Sequence, residues 1–253
     1  MYQLEDTYWW FVARRVIVRD LLARYRFLGD LDGRPRLLDV GCGTGANLKA
    51  LAEFGEVVGM DRSREALQFC RQRAPYRLAV ALGEALPVAD ESVEVITALD
   101  LLEHIQDDAA AVRGFARALR PGGVLLVTVP ACPSLWSEHD EALDHLRRYR
   151  AARLRRILQE SGLRVERLSP LIATLLLPIA ALRLLQRLRR RHGSEPKTAL
   201  IEPPAFINTA LIWLLRLEGK WLLRANLPVG VSLMAVARKP QGAAEGKGGR
   251  RRA

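Results

Sequence analysis

The residues with the clearest chemical meaning are three closely spaced glycines next to an acidic side chain. Residues 39–45 read Asp-Val-Gly-Cys-Gly-Thr-Gly, between an apolar segment typical of a buried strand and a segment typical of a helix. Gly41, Gly43 and Gly45 allow the backbone to turn sharply and to approach a ligand closely, because no Cβ is in the way. The start of the following helix presents unpaired N–H groups. The pattern predicts a loop that binds a small molecule.

Two acidic residues limit what that ligand can be. Asp61 ends the next predicted strand, where its carboxylate is placed to accept hydrogen bonds from ribose hydroxyls. A dinucleotide is one candidate, because Gly41-x-Gly43-x-x-Ala46 fits a relaxed dinucleotide fingerprint and Asp61 follows at about the expected distance. Asp39 argues against it, since this carboxylate would repel a pyrophosphate and is better placed to meet a cationic amino group. Gly45 is a further glycine that the dinucleotide fingerprint does not need.

The predicted elements explain how these residues would come together. Strands that alternate with helices at this spacing predict parallel crossover units in a doubly wound α/β sheet. Ligands of such sheets bind at the carboxyl ends of the strands. The predicted strands are 36–40, 56–60, 77–82, 93–98 and 124–129, and the predicted helices are 7–27, 46–54, 63–73 and 107–119.

The alternation breaks after Pro130. Residues 131–150 are polar and predicted to form a loop, followed by a helix at 151–161 and a sixth strand at 163–168. A last strand is predicted at 231–237.

Two apolar runs, 171–182 and 205–222, lie before that last strand. Neither reaches the roughly 18 uncharged residues expected of a helix that spans a membrane. Because arginines lie beside them, two interpretations stay open: helices of the core, or a patch that lies in a membrane interface.

The charge of the chain is strongly basic. Its 253 residues include 39 Lys and Arg against 28 Asp and Glu, a formal net charge of +11. This excess favours an anionic partner such as a membrane surface, with a solvated basic face as the alternative. A nucleic acid is not favoured, because no recognisable nucleic-acid-binding motif is present.

The cysteines and the N-terminal residues bear on the compartment. Three cysteines without a Cys-x-x-Cys pair argue against a disulfide framework. The first residues lack the basic-then-apolar pattern of a signal peptide. We therefore expect a cytoplasmic protein, with peripheral attachment to the inner face of the membrane as the second possibility.

The combination of motifs resembles the class I S-adenosylmethionine-dependent methyltransferases, of the broad small-molecule type 11/12 kind, over about residues 8–168 and the last strand. The resemblance implies a Rossmann-like sheet of seven strands, the last antiparallel, with S-adenosylmethionine as the cofactor. A helical apolar insertion would precede the last strand. It implies that Asp39 and the loop of Gly41, Gly43 and Gly45 hold the methionine and ribose parts, and that Asp61 binds the ribose hydroxyls. The other implied contacts are Arg62, Glu84 and Ala85 near the adenine, and Asp100 and Leu101 near the transferable methyl group.

The same resemblance suggests one domain over residues 1–238 and a disordered basic tail over 239–253. Within the domain we expect four parts. They are an N-terminal helical cap at 1–35, a cofactor-binding core at 36–168, the apolar helical insertion at 169–230 and the last strand at 231–238.

The acceptor side is predicted from the 131–150 segment, which follows a strand end and is rich in His, Asp, Arg and Tyr. His145-Leu-Arg-Arg-Tyr149 also resembles a recurring part of this methyltransferase subgroup. We predict that His104, His139 or His145 acts as a base or orients the acceptor and that Arg148 and Tyr149 shape the pocket, with a purely structural role as the alternative. No metal is expected, because the nearest two histidines in this segment are six residues apart on a loop.

The predicted function is in-line methyl transfer from S-adenosylmethionine to a small-molecule or lipid-like acceptor. The main task of such an enzyme is alignment. A general base is needed only where the acceptor must lose a proton. Two alternatives remain: a nicotinamide-dependent oxidoreductase, and a non-catalytic module that uses this fold to bind a partner.

Overall fold

A computed structural model describes residues 2, 4–25, 34–189 and 202–241. Parts of three predicted segments lie outside the described residues: residues 1, 3 and 26–33 of the N-terminal cap, residues 190–201 of the apolar insertion and residues 242–253 of the tail.

A seven-stranded sheet forms the centre of the structure, in the order β3-β2-β1-β4-β5-β7-β6. Strands β1 to β5 are parallel, and β7 runs antiparallel to both of its neighbours. This confirms the predicted fold class. The strands are β1 (Arg36–Val40), β2 (Glu56–Asp61), β3 (Arg77–Val80), β4 (Val93–Leu99), β5 (Leu119–Pro130), β6 (Arg164–Leu171) and β7 (Ser232–Arg238).

Helices cover both faces of the sheet, so apolar clusters lie on either side of it. Residues 124–130 of β5 are all buried, which explains why this part of the strand is almost entirely apolar. The helices are α1 (Trp9–Tyr25), α2 (Leu48–Leu51), α3 (Arg64–Arg73), α4 (Asp108–Ala118), α5 (Glu138–Ala142), α6 (Ala151–Glu160), α7 (Leu176–Arg189) and α8 (Ala205–Leu222).

Three element boundaries differ from the prediction. The helix expected at 46–54 is only the four residues of α2, since the chain is still turning around the glycine loop before it. Strand β5 begins at Leu119 because that residue pairs with Val93 ahead of a register irregularity. Strand β6 continues to Leu171, three residues beyond the predicted end, because β7 pairs with it as far as Ser232.

The first apolar run, 171–182, starts at the last residue of β6 and forms the first half of α7. The second run, 205–222, forms α8, which packs against α1. Gly219 makes the close approach possible, since a Cβ there would lie 2.8 Å from Cγ1 of Ile17. The buried Glu218 carboxylate accepts the N–H groups of Ile172 and Thr174, which ties α8 to the end of β6. The face of α8 that packs inward therefore belongs to the core, while its outer face stays exposed. Among the described residues, no helix is both long enough and apolar enough to cross a bilayer.

Candidate functional site

The glycine loop, residues 41–45, leaves the carboxyl end of β1 at the centre of the sheet. Its three glycines have φ values of +73°, +55° and +83°, a region that residues with a Cβ rarely adopt. At Gly41 a Cβ would also lie 2.7 Å from Cδ1 of Leu101. The loop therefore requires glycine for its conformation and for its contact with the segment after β4.

Asp61 holds this loop in place from the end of β2. Its Oδ2 accepts the Gly43 N–H at 2.9 Å, and its Oδ1 accepts the Ser63 N–H at 2.8 Å. A carboxylate can accept about four hydrogen bonds, so capacity remains for a ligand. Asp61 thus combines a structural role with the ability to accept hydrogen bonds from hydroxyl groups.

Asp39 lies at the end of β1, 1% exposed, beneath the glycine loop. Its Oδ1 accepts the Thr97 hydroxyl at 2.6 Å, and its Oδ2 has no hydrogen-bond partner among the described residues. Burial raises the pKa of this carboxyl to about 6, an effect that the Thr97 hydrogen bond and Arg14 partly oppose. A buried carboxylate oxygen without a partner favours a cationic or hydrogen-bond-donating ligand nearby.

A cavity of about 290 Å³ opens at the carboxyl ends of the strands, and we call it the carboxyl-edge cavity. This position agrees with the strand order, which reverses between β1 and β4. The ligands of open α/β sheets bind at such a reversal point. Six of the residues predicted to bind the cofactor border the cavity, as does one predicted catalytic residue. They are Gly41, Asp61, Arg62, Glu84, Asp100 and Leu101, together with His104.

Four other residues predicted to bind the cofactor do not border this cavity. Asp39 lies under the glycine loop, and Gly43 and Gly45 shape that loop. Ala85 closes a small bridge with Leu82, a residue that does line the cavity. A second cavity, of about 320 Å³, lies beside β6, and none of the predicted site residues borders it.

The N-terminal segment reaches the site through side chains of α1 and of the residues before it. Arg14 of α1 donates to Oδ2 of Asp100, whose Oδ1 accepts the Thr128 hydroxyl at 2.9 Å. Further along the glycine loop, the Thr44 hydroxyl donates to the Glu5 carboxylate, which also pairs with Arg73. These contacts hold the N-terminal segment against the loop. The only sequence signal for them was the presence of charged residues in an otherwise apolar helical pattern.

Two of the predicted histidines meet beside the cavity. His104, on a short turn after β4, and His145, from the 131–150 segment, have ring centroids 4.8 Å apart in an edge-to-face arrangement. Burial and the neighbouring His145 lower the pKa of His104, which keeps that ring neutral at physiological pH. The structure therefore brings together two residues that are 41 positions apart in the sequence.

Asp140 organises the acceptor-side segment. Its Oδ1 accepts Nε of Arg148 at 2.7 Å and lies 3.1 Å from Nδ1 of His145, while Oδ2 accepts the Ser137 N–H at 2.9 Å. Arg183 of α7 lies 3.6 Å away. Burial raises the pKa of this carboxyl, but the His145 hydrogen bond and the two arginines outweigh burial and hold the pKa well below its usual range. Asp140 is therefore ionised and fixes the orientation of His145.

The structure does not support the predicted catalytic role of Tyr149. Its side chain is fully buried, and its hydroxyl donates to Oδ2 of Asp108 at 2.6 Å and lies 3.1 Å from the carbonyl of Leu102. A hydroxyl enclosed in this way cannot touch an acceptor. Tyr149 instead anchors the end of the 131–150 segment to the turn that carries His104.

His139 also does not border the cavity. It lies close to Arg183 and Asp140, and burial followed by the charge of Arg183 lowers the pKa of its ring to about 4. A ring with that pKa stays neutral at physiological pH and is a weak base. Of the three predicted histidines, His104 borders the cavity and His145 lies against its ring.

Glu103 is the residue of this region that the sequence reasoning missed. Nothing in the sequence indicated that its side chain would be completely buried. The structure places it under the histidine pair at 0% exposure, and neither carboxylate oxygen has a hydrogen-bond partner among the described residues.

Comparison with known proteins agrees with this geometry. Residues 38–127 match the family described as "Methyltransferase domain". This range runs from β1 into β5 and includes the glycine loop, Asp61 and the turn that carries His104. A solved S-adenosylmethionine-dependent methyltransferase from Mesorhizobium loti superposes with a TM-score of 0.56 at 18% identity, covering 87% of this chain and 97% of that one. Residues 38–127 are therefore similar to a methyltransferase domain, and the chain shares the fold of the solved methyltransferase.

Two curated relatives illustrate the range within that family. A probable S-adenosylmethionine-dependent methyltransferase of Mycolicibacterium smegmatis is 32% identical over 168 residues, which is 64% of this chain and 62% of the relative. A ubiquinone biosynthesis O-methyltransferase of Alkalilimnicola ehrlichii is 43% identical over 104 residues, or 38% of this chain and 41% of the relative. The chain thus spans less than two thirds of the length of these relatives.

Proposed function

We propose that this chain transfers a methyl group from S-adenosylmethionine to a small-molecule or lipid-like acceptor bound beside His104 and His145. The observation that carries the proposal is the carboxyl-edge cavity, where the glycine loop, Asp61 and His104 converge. The donor supplies a methyl group on a positively charged sulfur. The task of the chain is to position donor and acceptor in line.

The residues of the cavity fit this donor better than they fit a dinucleotide. Three acidic side chains border it: Asp61, Glu84 and Asp100. With the partnerless oxygen of Asp39 below the loop, they favour a ligand that carries positive charge. A pyrophosphate would bring negative charge to the same place. This argues against a nicotinamide-dependent oxidoreductase.

Each part of the site has a proposed task. Asp61 accepts the ribose hydroxyls, while Arg62 and Glu84 border the adenine. Leu101, which contacts the glycine loop, packs near the reactive end of the donor together with Asp100. His104 and His145 orient the acceptor, and Asp140 positions His145.

Calorimetric titration tests the cofactor assignment. We expect the purified chain to bind S-adenosylmethionine and its demethylated product with a stoichiometry of one, and to show no binding of nicotinamide dinucleotides at the same concentrations. The acidic cavity is the reason for this preference. If the folded chain binds a nicotinamide cofactor and does not bind S-adenosylmethionine, the proposal is overturned in favour of the oxidoreductase.

The acceptor is proposed to be lipid-like and to be reached at an anionic membrane surface. Four large apolar side chains form an exposed stripe along the outer face of α8: Phe206, Trp213, Leu217 and Trp221. They are between 53% and 75% exposed. Exposed Lys220 and Arg224 lie at the C-terminal end of this stripe. Aromatic rings and basic side chains on one helix face suit the interface of an anionic bilayer.

Two further observations support a membrane-bound acceptor. Helix α7 exposes Leu177, Leu184 and Leu185, and its Arg183 contacts the segment that carries His145. The relative from Alkalilimnicola is named a ubiquinone biosynthesis O-methyltransferase. An apolar acceptor would therefore be compatible with the exposed apolar side chains of α7 and α8 and with the name of that relative.

Co-sedimentation with vesicles tests this part. We expect the chain to sediment with vesicles that contain anionic phospholipid at low salt, and a Trp213→Ala/Trp221→Ala double variant to bind at least tenfold more weakly. A Val80→Ala variant, which shortens an exposed apolar side chain of β3, should bind like the original chain. Absence of vesicle binding by the original chain would overturn the membrane proposal without affecting the cofactor assignment.

A further inference from the structure

The Glu103 carboxyl group lacks the hydrogen bonds that a buried polar group normally has. Both of its oxygens are buried without a hydrogen bond among the described residues. The nearest arginines that influence it, Arg14 and Arg148, are already engaged in ion pairs with Asp100 and Asp140. A buried carboxylate left in this state is costly unless a ligand satisfies it.

Two imidazole rings lie next to this carboxylate. One oxygen of Glu103 and one ring nitrogen each from His104 and His145 all lie within 4.8 Å of one another. Two histidines and one carboxylate are a common ligand set for divalent transition metals. With metal–ligand bonds of about 2.1 Å, the three atoms would have to move inward by up to about 1 Å each, which side-chain rotation can supply.

The outer hydrogen bonds of the two rings are those expected of metal ligands. His145 uses Nδ1 for the Asp140 carboxylate, which leaves Nε2 for another contact. The His104 ring hydrogen-bonds the backbone of Asp144. Histidines that bind metals almost always donate their second ring N–H to a carboxylate or a carbonyl, which fixes the tautomer and the ring orientation. Asp140 is itself held by Arg148 and the Ser137 N–H, so this orientation is firmly determined.

We propose that Glu103, His104 and His145 bind a divalent transition-metal ion at the edge of the carboxyl-edge cavity. Three protein ligands leave at least one coordination position for water or for an acceptor. His104 borders the cavity, so this position faces the space in which the acceptor would lie. The mixed nitrogen and oxygen ligands suit zinc, manganese, iron or cobalt better than magnesium, which prefers oxygen ligands.

The use of the ion, though not its binding, rests on the proposed methyltransferase function. A hydroxyl group bound to a divalent ion has a lowered pKa and releases its proton to solvent more readily. The ion would thereby orient the acceptor oxygen and make it a better nucleophile. Because the ligands include both histidines, their proposed role of orienting the acceptor would be exerted through the ion.

Cobalt(II) is the probe for the site because its visible absorption reports its ligands. The full chain, freed of metal with a chelator, is titrated with cobalt and then with zinc as a competitor. We expect one equivalent of cobalt to bind, with absorption typical of nitrogen and oxygen ligands, and zinc to displace it. Glu103→Gln and His145→Gln should each weaken cobalt binding at least tenfold. His139→Gln, which alters a nearby histidine outside the ligand set, should retain it.

Circular dichroism and a parallel titration with S-adenosylmethionine separate the possible causes of failure. A folded chain that binds S-adenosylmethionine but no stoichiometric cobalt would overturn the metal site and leave the proposed function standing. Cobalt binding that both Glu103→Gln and His145→Gln retain would also overturn it. Cobalt binding that is lost in those two variants, in a chain without affinity for S-adenosylmethionine, would support the metal site and overturn the proposed function.

Discussion

Replacement of Asp61 by Ala is expected to lower the affinity for S-adenosylmethionine about 10- to 100-fold, since a hydrogen bond to a charged group contributes about 1.5–3 kcal/mol. The carboxylate is the proposed acceptor for the ribose hydroxyls. It also holds the Gly43 N–H and the Ser63 N–H, so its loss frees the glycine loop as well. Calorimetric titration of the original chain and the variant measures the effect.

Two further variants make this result specific. Asp61→Asn keeps the size of the side chain and one acceptor oxygen, so its affinity should lie between those of the original chain and Asp61→Ala. Glu53→Ala removes an exposed acidic residue beyond α2 and should leave the affinity unchanged. Equal affinity of Asp61→Ala and the original chain, with both folded, would show that Asp61 does not contact the donor.

Replacement of Asp140 by Ala is expected to lower the free energy of unfolding by about 3–5 kcal/mol, the usual cost of removing one partner from a buried ion pair. Asp140 is 0% exposed and is the acceptor for Arg148, the Ser137 N–H and His145. Without it, the Arg148 guanidinium stays buried and, among the described residues, still donates to the Ala131 carbonyl at 2.6 Å. Urea denaturation followed by circular dichroism measures the difference.

Glu160→Ala serves as the matched control, because Glu160 is an exposed carboxylate at the end of α6. Its change in stability should stay within about 0.5 kcal/mol, as for most surface substitutions. A loss below 1 kcal/mol for Asp140→Ala would mean that the network around this carboxylate contributes little to the fold. In that case the orientation of His145 would have to depend on other contacts.

Asp61 and Asp140 lie on the cofactor side and the acceptor side of the site, and only the role of Asp61 could be predicted from the sequence. Asp61 stands at the end of an apolar strand, after a glycine-rich turn, and that local order was enough to assign it a role. Asp140 lies in a polar segment without regular periodicity. Its importance comes from Arg148 and Arg183, which reach it from eight residues away and from a separate helix. No local pattern encodes such a convergence.

For the two apolar runs, too, the sequence predicted the local structure but not the long-range contacts. Their composition indicated helices but left open whether the core or a membrane covers them. The structure buries Leu215 and Leu222 on one face of α8 and leaves Trp213 and Trp221 exposed on the other. The inner face of α8 is buried because α1 packs against it, with Ile17 of α1 close to Gly219 of α8.

The sequence by itself determined the doubly wound sheet, the glycine loop and the acidic residue at the end of β2, because these depend on short-range order: apolar strands, turn glycines and the periodicity of helices. Only the tertiary structure decided that Tyr149 is enclosed and that Arg14 reaches Asp100. It likewise placed Glu103 beneath His104 and His145 with both oxygens unpartnered among the described residues. Burial and long-range pairing are properties of packed elements, and they arise only when segments far apart in the chain are brought into contact.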